Sequence, residues 1–405
     1  MTEIAEQTLE KPEICTCDPS TCSVCGSTAQ PVEPDLDFIG ELEKLGGAEY
    51  RQCFQCATCA ATCPISPDSQ PFPRKEMAWA LWGLKDKLVK DPDIWLCHQC
   101  NDCSTMCPRG GNPGDLIATI RNFAFQHYSF PGFLGKMLAD AKFLPVLLGI
   151  PVLIIIVLQV ISKHFGIPSG EIVFVKFFPY WLLDPLFILA SIWAGFALVM
   201  GLSRFWKDIS SNGDKPSEPL MKSILDTVNE IVTHNKFREC DSSGPRNLSH
   251  LLVFYGFIAL FITTTAVFFG LYTPKVLGLI GMDFPELTPL PLVWYHPVKL
   301  LGNLGSILFF IGLSLMVYQR ATNPKKSGKS NYYDSLFLAV MLIIGVTGIL
   351  AQLTRLADMA VLAYPIYFIH LVFVFFLIAY LPYSKFAHIF YRTAAIVYSK
   401  YTGRK

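Results

Sequence analysis

Charge is scarce in this sequence. Aspartate, glutamate, lysine and arginine make up 16% of its 405 residues, against about 25% in an ordinary soluble domain. The net charge of +1 leaves no excess of either sign, and so no electrostatic basis for a nucleic-acid partner. Cysteine is nearly absent from most of the chain: of 13, only Cys240 lies beyond residue 107. The opening MTEIAEQTLEKPE has no basic n-region, apolar h-region or twin-arginine pair. The expectation is therefore that the cysteine-rich part stays in the cytoplasm. In that reducing compartment clustered cysteines bind metal more often than they form disulfides.

What is present changes character along the chain. Residues 1–36 are rich in Pro, Ser, Thr, Glu and Cys without apolar periodicity, and read as a flexible tail. Residues 37–130 read as a head of short helices and ligand loops. One helix carries Trp79, Leu81, Trp82, Leu84 and Leu88 on its apolar face, another Ile117, Ile120, Ala124 and Phe125. The membrane domain is expected over 143–405. Its apolar runs at about 143–162, 182–203, 250–272, 298–318, 335–354 and 361–382 each approach the ~20 residues that cross a bilayer. A soluble protein can bury one such run; six in series indicate a multi-pass protein of the membrane. Lys and Arg number sixteen in the segments 204–249, 319–334 and 384–405, but four in 163–181, 273–297 and 355–360. That imbalance predicts a cytoplasmic C-terminus and a cytoplasmic head in the inner membrane. The segment 217–237 is too polar to span. Leu220, Ile224, Leu225, Val228, Ile231 and Val232 share one helical face, with Ser217 as the N-cap. Docking on the head or a partner, or lying on the lipid surface, would use that face.

Cys53, Cys56, Cys59 and Cys63 precede Pro64 in a C-x2-C-x2-C-x3-C-P run, repeated by Cys97, Cys100, Cys103 and Cys107 before Pro108. Three closely spaced thiolates wrap three corners of an iron–sulfur cube, and the fourth cysteine reaches the other cube. The assignment is Cys53, Cys56, Cys59 and Cys107 for one [4Fe–4S] cluster, and Cys97, Cys100, Cys103 and Cys63 for the other. One copy would also suit a tetrahedral zinc; two complete copies disfavour it. In the tail, Cys15, Cys17, Cys22 and Cys25 match no cluster spacing, leaving free thiols or a zinc site as alternatives. Cys240 reads as structural and His98 as a solvated loop residue.

Four of the eight histidines, His250, His296, His370 and His388, lie in or beside the spans. An imidazole in a bilayer needs a partner, and two imidazoles on haem iron supply one. His370 and His388 are 18 residues apart, five turns or about 27 Å of helix, with Pro382 between them to bend it. By depth, His250 pairs with His388 on the inner side and His296 with His370 on the outer side, giving two haems b. Trp294, Tyr295, His296 and Lys299 are the expected quinone site.

The doubled cysteine run resembles the small iron–sulfur subunit of heterodisulfide reductases. The stretch from His370-Leu-Val-Phe through Leu381-Pro382-Tyr383-Ser384-Lys385-Phe386-Ala387-His388 is similar to the dihaem cytochrome b subunits of nitrate and heterodisulfide reductases. With both parts fused, six spans and no C-C-G motif, residues 37–405 resemble the C subunits of quinone-interacting membrane-bound oxidoreductase complexes. The fold implied is all-α: an α-helical ferredoxin-like head with two clusters, followed by a six-helix transmembrane cytochrome b bundle. The resemblance implies electron transfer between menaquinol and flavin- and iron–sulfur-containing cytoplasmic subunits, towards adenylyl-sulfate reductase in sulfate respiration. Nitrate-reductase cytochromes carry two histidines on one early helix; here the third span has His250 alone, so His296 substitutes from another helix. One rival is an anchor for a heterodisulfide or nitrate reductase. A transporter or sensor gated by the clusters is the other, but these spans lack the charged or broken midplane helices it would need.

Overall fold

The computed structural model describes residues 33–404 except 68–69, 165, 212–213, 235–243, 283–284, 286–287, 289, 324–326 and 330. The tail cysteines Cys15, Cys17, Cys22 and Cys25, and Cys240, lie outside the described residues. Among the described residues every regular element is a helix.

The head begins with α1 (Leu36–Gly46), capped by Asp35, whose carboxylate accepts from the Phe38 amide at 2.8 Å. It continues through α2 (Thr58–Thr62), α3 (Arg74–Leu81), α4 (Lys85–Val89), α5 (Asp93–Leu96), α6 (Asp102–Thr105), α7 (Pro113–Tyr128) and α8 (Gly132–Ala139). The expected helix through Trp79 and Leu88 is two helices. Gly83, at φ +66°, takes a left-handed conformation that only glycine adopts without strain, and the chain turns there. The buried side of α7, with Leu116, Ile117, Ile120, Ala124, Phe125 and Tyr128, is the axis around which the shorter helices collect.

Six helices are long and apolar enough to cross a membrane. They are α9 (Leu144–Ile161), α11 (Tyr180–Ser210), α13 (Gly244–Leu279), α14 (Pro297–Thr322), α15 (Tyr332–Leu356) and α16 (Ala360–Ala379). Short α10 (Phe174–Phe177) lies between the first two, α12 (Leu220–Thr233) precedes α13, and α17 (His388–Tyr401) closes the chain. The bundle runs as a chain of neighbours, α13 on α14, α14 on α15, α15 on α16, and α16 on both α11 and α9. Large apolar side chains such as Leu153, Leu189 and Phe261 face outward, as lipid contact requires.

From Asp35 to Lys405 the chain is one compact unit. The core of the head continues into the membrane helices. Trp95 stacks on Tyr391 of α17 at 5.1 Å and meets Phe205 of α11 edge-on at 5.9 Å. At the head's far edge Lys75 sits between Asp91 (2.5 Å) and Asp93 (2.6 Å), and Arg404 reaches Asp93 (3.0 Å) and Asp214 (2.8 Å). The end of the chain is thereby tied to the head. Burial, with Asp91 adjoining, pushes the Glu76 carboxyl well up, against the pull of Lys75 3.1 Å away.

Glycines set the α13–α14 seam. A Cβ on Gly256 would lie 2.6 Å from the Phe309 amide nitrogen, and one on Gly312 would lie 2.7 Å from that of Val253. Without hydrophobic drive between helices in lipid, such close backbone approach supplies the packing. Gly256→Leu should therefore separate the pair and cost about 1–3 kcal/mol by overpacking. A thermal unfolding midpoint in detergent equal to that of the parent protein would count against this seam.

Candidate functional site

The two cysteine loops fold alike because the same positions leave ordinary backbone space. Gln55 and Ala57 follow Cys53 at φ 58° and 66°, and Gln99 and Asn101 follow Cys97 at φ 56° and 69°. Each loop then enters a short helix, α2 or α6. In each, the amide two residues on donates to the first sulfur, Gln55 to Cys53 Sγ at 3.4 Å and Gln99 to Cys97 Sγ at 3.3 Å. Gly111 N–H donates to Cys107 Sγ at 3.3 Å.

The sulfurs fall into two groups. Cys53, Cys56, Cys59 and Cys107 line one pocket of about 350 Å³ together with Phe54, Arg74, Met77 and Arg109. Burial pushes the Cys59 thiol up to about 11, and neighbouring Cys53 and Cys107 add to it. Cys63 belongs with the other run: burial pushes its thiol up to about 12, and Cys97 and Cys100 beside it contribute. Cys103 is raised likewise by burial and then by Cys97, Cys100 and Cys63. Each run thus sends its fourth cysteine to the other, and four sulfurs converging on one pocket fit a cubane cluster. Cys56 is exposed and Cys97 is buried, so the first group is the nearer to water.

Three arginines hold the Cys97 loop. Arg392 of α17 donates to the Cys97 carbonyl at 3.1 Å and lies 2.8 Å from His98 Nδ1. Arg246 of α13 donates to the Gln99 carbonyl at 2.5 Å, and Arg121 of α7 to the Gln99 side chain at 2.7 Å. His98 is therefore part of this clamp, not a solvated loop residue. Spacing could have found these arginines: Arg246 is four residues before His250 and Arg392 four after His388, one helical turn in each case.

The expected helix from His370 to His388 is broken rather than bent. α16 ends at Ala379, two 3₁₀ turns occupy Leu381–Tyr383 and Lys385–Ala387, and His388 starts a new helix. Pro382 lacks the amide that would continue the ladder, and Ser384 caps the next turn by accepting from Phe386 N–H at 3.2 Å. The break places His388 at the start of its own helix, its ring 6.5 Å from that of Phe337, with His250 among the charges that act on it. His388 Nδ1 lies 2.6 Å from the Lys385 carbonyl, a geometry that favours the proton on Nδ1 and leaves Nε2 as the acceptor nitrogen. A further histidine joins them: His234, the buried C-cap of α12, has its ring 5.5 Å from that of His250.

His370 is set on the other side of α16, its Nδ1 3.0 Å from Thr347 Oγ1, and the Thr347 hydroxyl donates to the Ile343 carbonyl at 2.6 Å. A Cβ on Gly348 would meet the His370 ring at 3.1 Å, so the glycine makes room beside it. Both His370 and His388 thus have Nδ1 engaged and Nε2 available, as haem ligation requires. His296 stands at a different level. It caps α14, its Nδ1 accepting from Val298 N–H at 3.3 Å. Three residues on, Lys299 pairs with Gln352, five residues beyond Thr347 on α15. That puts His370 about 12 Å deeper than His296 at 1.5 Å per residue. Counting from span ends missed this, because His370 lies ten residues inside α16. Trp294 and Tyr295 also depart from expectation: they are 78% and 63% exposed. They resemble interfacial aromatic anchors instead. A crevice lies at the head end of the bundle, lined by Leu138, Phe337, Val340, Phe376 and Leu377 with the polar Tyr333 and Ser384 and with Lys385, which pairs with Asp334.

A 4Fe-4S dicluster domain family matches residues 49–111, and the family described as citrate utilization protein B matches residues 134–405. The C subunit of the H(2):CoB-CoM heterodisulfide,ferredoxin reductase of Methanothermobacter marburgensis is 34% identical over 90 residues, 22% of this chain and 49% of that protein. The second iron–sulfur C subunit of the CoB–CoM heterodisulfide reductase of Methanocaldococcus jannaschii is 40% identical over 102 residues, 23% of this chain and 54% of that protein. The match thus spans about half the length of these curated relatives. Citrate utilization protein B of Escherichia coli is 25% identical over 321 residues, 75% of this chain and 80% of that protein. No solved structure matches. The likeness of the head to heterodisulfide reductase iron–sulfur subunits is borne out, and by a match that takes in two thirds of its length the chain belongs to the citrate utilization protein B family.

Proposed function

We propose that this chain is a membrane electron-transfer subunit, linking a quinone in the bilayer to flavin-containing subunits on its cytoplasmic head. One observation carries the reading. The helices that present His250 and His388 also present, one turn away, Arg246 and Arg392, and both arginines grip the Cys97 loop. A cluster loop and a histidine pair are thus held by the same two helical turns, which keeps the two kinds of centre close.

In this reading Cys53, Cys56, Cys59 and Cys107 hold one [4Fe–4S] cluster and Cys97, Cys100, Cys103 and Cys63 the other. His250 and His388 are axial ligands of an inner haem b, and His370 is a ligand of an outer one. His296 caps its own helix at another depth and takes no part. When bound, these groups would supply one-electron carriers between a two-electron quinol and a flavin. The chain's own residues bind and orient. Amides of Gln55, Gln99 and Gly111 donate to sulfur and favour the added negative charge of reduction. The Lys385 carbonyl and Thr347 hydroxyl hold the histidine rings in one tautomer. The inner crevice, apolar with one Lys385–Asp334 pair, suits a quinone headgroup better than exposed Trp294 and Tyr295 do. Phe54 and Met106, both exposed beside the first group of cysteines, mark the face that a partner would cover.

The relatives named as heterodisulfide reductase subunits support a multi-subunit redox complex. Menaquinone as donor, and adenylyl-sulfate reductase as destination, rest on the resemblance of the sequence. The family match favours a second destination, a complex that serves citrate utilization. The flavoprotein that co-purifies with the chain distinguishes the two.

Cys107→Ala should abolish the paramagnetic signal of the first-motif cluster and leave that of the second. Loss confined to the second-motif cluster would overturn the crossed ligation.

Removal of either haem ligand should be equally selective. His388→Ala and His370→Ala should each halve the dithionite-reduced b-type absorbance, while His296→Ala retains it. Full haem content in the His388 variant would end the case for the inner site.

A further inference from the structure

The crevice at the head end of the bundle, about 320 Å³ in volume, offers a bound molecule few groups that exchange a proton. Leu336, Val340, Phe376 and Leu377 are apolar walls. The Tyr333 hydroxyl is committed to the Tyr383 carbonyl, and that of Ser384 donates to the Leu381 carbonyl at 3.2 Å. What remains is Lys385, ion-paired with Asp334. Arg121 of α7 and Arg320 of α14 stand near enough to act on Lys385. This corner of the crevice therefore favours an oxygen that gains negative charge as it loses a proton.

The charged groups continue outward from there. Asp334 lies in the first turn of α15, its amide held by Asn331 Oδ1 at 2.9 Å. Five residues earlier the Lys329 amide donates to Asp115 Oδ1 at 3.1 Å, and Lys329 Nζ pairs with Glu49. Asp115 belongs to the head, in the first turn of α7, and feels the charge of both Asp334 and Glu49. Three carboxylates thus lead from the crevice to the surface: the Asp334 side chain is 8% exposed and that of Glu49 31%, beside Lys329 at 59%. Burial pushes the Asp115 carboxyl up, against Lys329, and Glu49 and Asp334 add to the rise. Lys329 holds the Glu49 carboxyl below its usual range. The inner group therefore binds a proton more readily than the outer one, which stays ionised at the surface. Chains of carboxylates are a common form of proton relay in membrane proteins.

The crevice also meets the histidines. Phe337, one of its walls, has its ring 6.5 Å from that of His388, and the Lys385 carbonyl lies 2.6 Å from His388 Nδ1. Electrons and protons thus have separate exits, one past Phe337 and one behind Lys385.

We propose that Asp334, Asp115 and Glu49 form a proton relay between this crevice and water on the head side, so that a quinol oxidised in the crevice releases its protons where its electrons are delivered. The relay rests on the quinone reading of the crevice. Each quinol hydroxyl breaks its O–H bond and becomes a carbonyl. The two electrons pass singly to one-electron acceptors, the haem and clusters of that reading. The two protons pass in turn to the Asp334 carboxylate, then through Asp115 to Glu49 and water. Lys385 stays charged and steadies the oxygen that each proton leaves. No net charge crosses the membrane, and quinone reduction runs the same route in reverse.

The test places the full chain in phosphatidylcholine vesicles with the head outward and a long-chain menaquinol in the bilayer, and adds ferricyanide outside as an impermeant one-electron oxidant. A pH dye outside should report two protons per quinol at once, unaffected by an uncoupler, while a voltage dye stays silent. Asp115→Asn should slow electron delivery and proton release together by about tenfold. Its iron–sulfur absorbance should be intact, and millimolar formic acid should restore both rates. Acidification of the lumen, or a voltage built up during turnover, would overturn the relay alone. So would an Asp115→Asn variant that keeps the full rate, or a slow one that small acids do not rescue. A parent chain that takes no electrons from menaquinol would sink the quinone reading and the relay together.

Discussion

Arg121, Arg246 and Arg392 come from three helices of the fold and meet on one short loop, Cys97–Gln99. A loop carried inside a protein must find donors for its carbonyls, and here the donors are guanidinium groups whose positive charge also suits a site of thiolates. The position of the head follows from this contact. Two of the three arginines are rooted in helices of the membrane half, so the second cysteine group cannot move without carrying α13 and α17 along. The histidines one turn away are held by the same constraint. A cysteine group of the head and a histidine group of the membrane half are thereby brought to a common boundary.

Packing reinforces the electrostatics. Trp95, Tyr128, Phe205 and Tyr391 form an aromatic cluster at the head–membrane junction, with edge-to-face and stacked pairs at 5.1–5.9 Å. Four large rings from α5, α7, α11 and α17 close the junction to water, which is why the head and the membrane bundle share one core. Arg404 completes the junction at its rim, neutralising the buried carboxylates of the head together with Lys75. Buried carboxylates lacking either cation would be costly. The charges near this end of the chain therefore hold the junction.

Much of the cluster chemistry was legible in advance, because cysteine spacing is local: three thiolates in seven residues must surround a common point, and Pro64 and Pro108 turn the chain so that the fourth leaves it. The spans were legible for a similar reason, since twenty apolar residues have few alternatives in water. The arrangement of the histidines proposed as haem ligands was legible only in part. His250 and His388 were matched because each lies at the inner end of a helix. His296 and His370 were matched wrongly in depth because loop length does not reveal where a helix begins relative to its neighbour. The turn at Pro382 was anticipated as a bend, but the side on which the next helix emerges depends on Ser384 and on the packing of Phe386 against Phe257 and Phe337.

Helix α12 marks the same division. Periodicity alone determined that Leu225, Val228 and Val232 share a face, since 3.6 residues per turn leaves them no choice. It could not decide what that face meets. The apolar side is the obvious one to bury, yet Ser223 and Thr227 are the pair packed inside, because small side chains let α12 lie close against α17 while Tyr255 holds its far end on α13. Sequence by itself determined the centres and the spans, whose causes act over a few residues. Tertiary structure alone decided which cysteines group together, which histidines lie near one another and which face of α12 stays exposed, because each depends on side chains contributed by helices far apart in the chain.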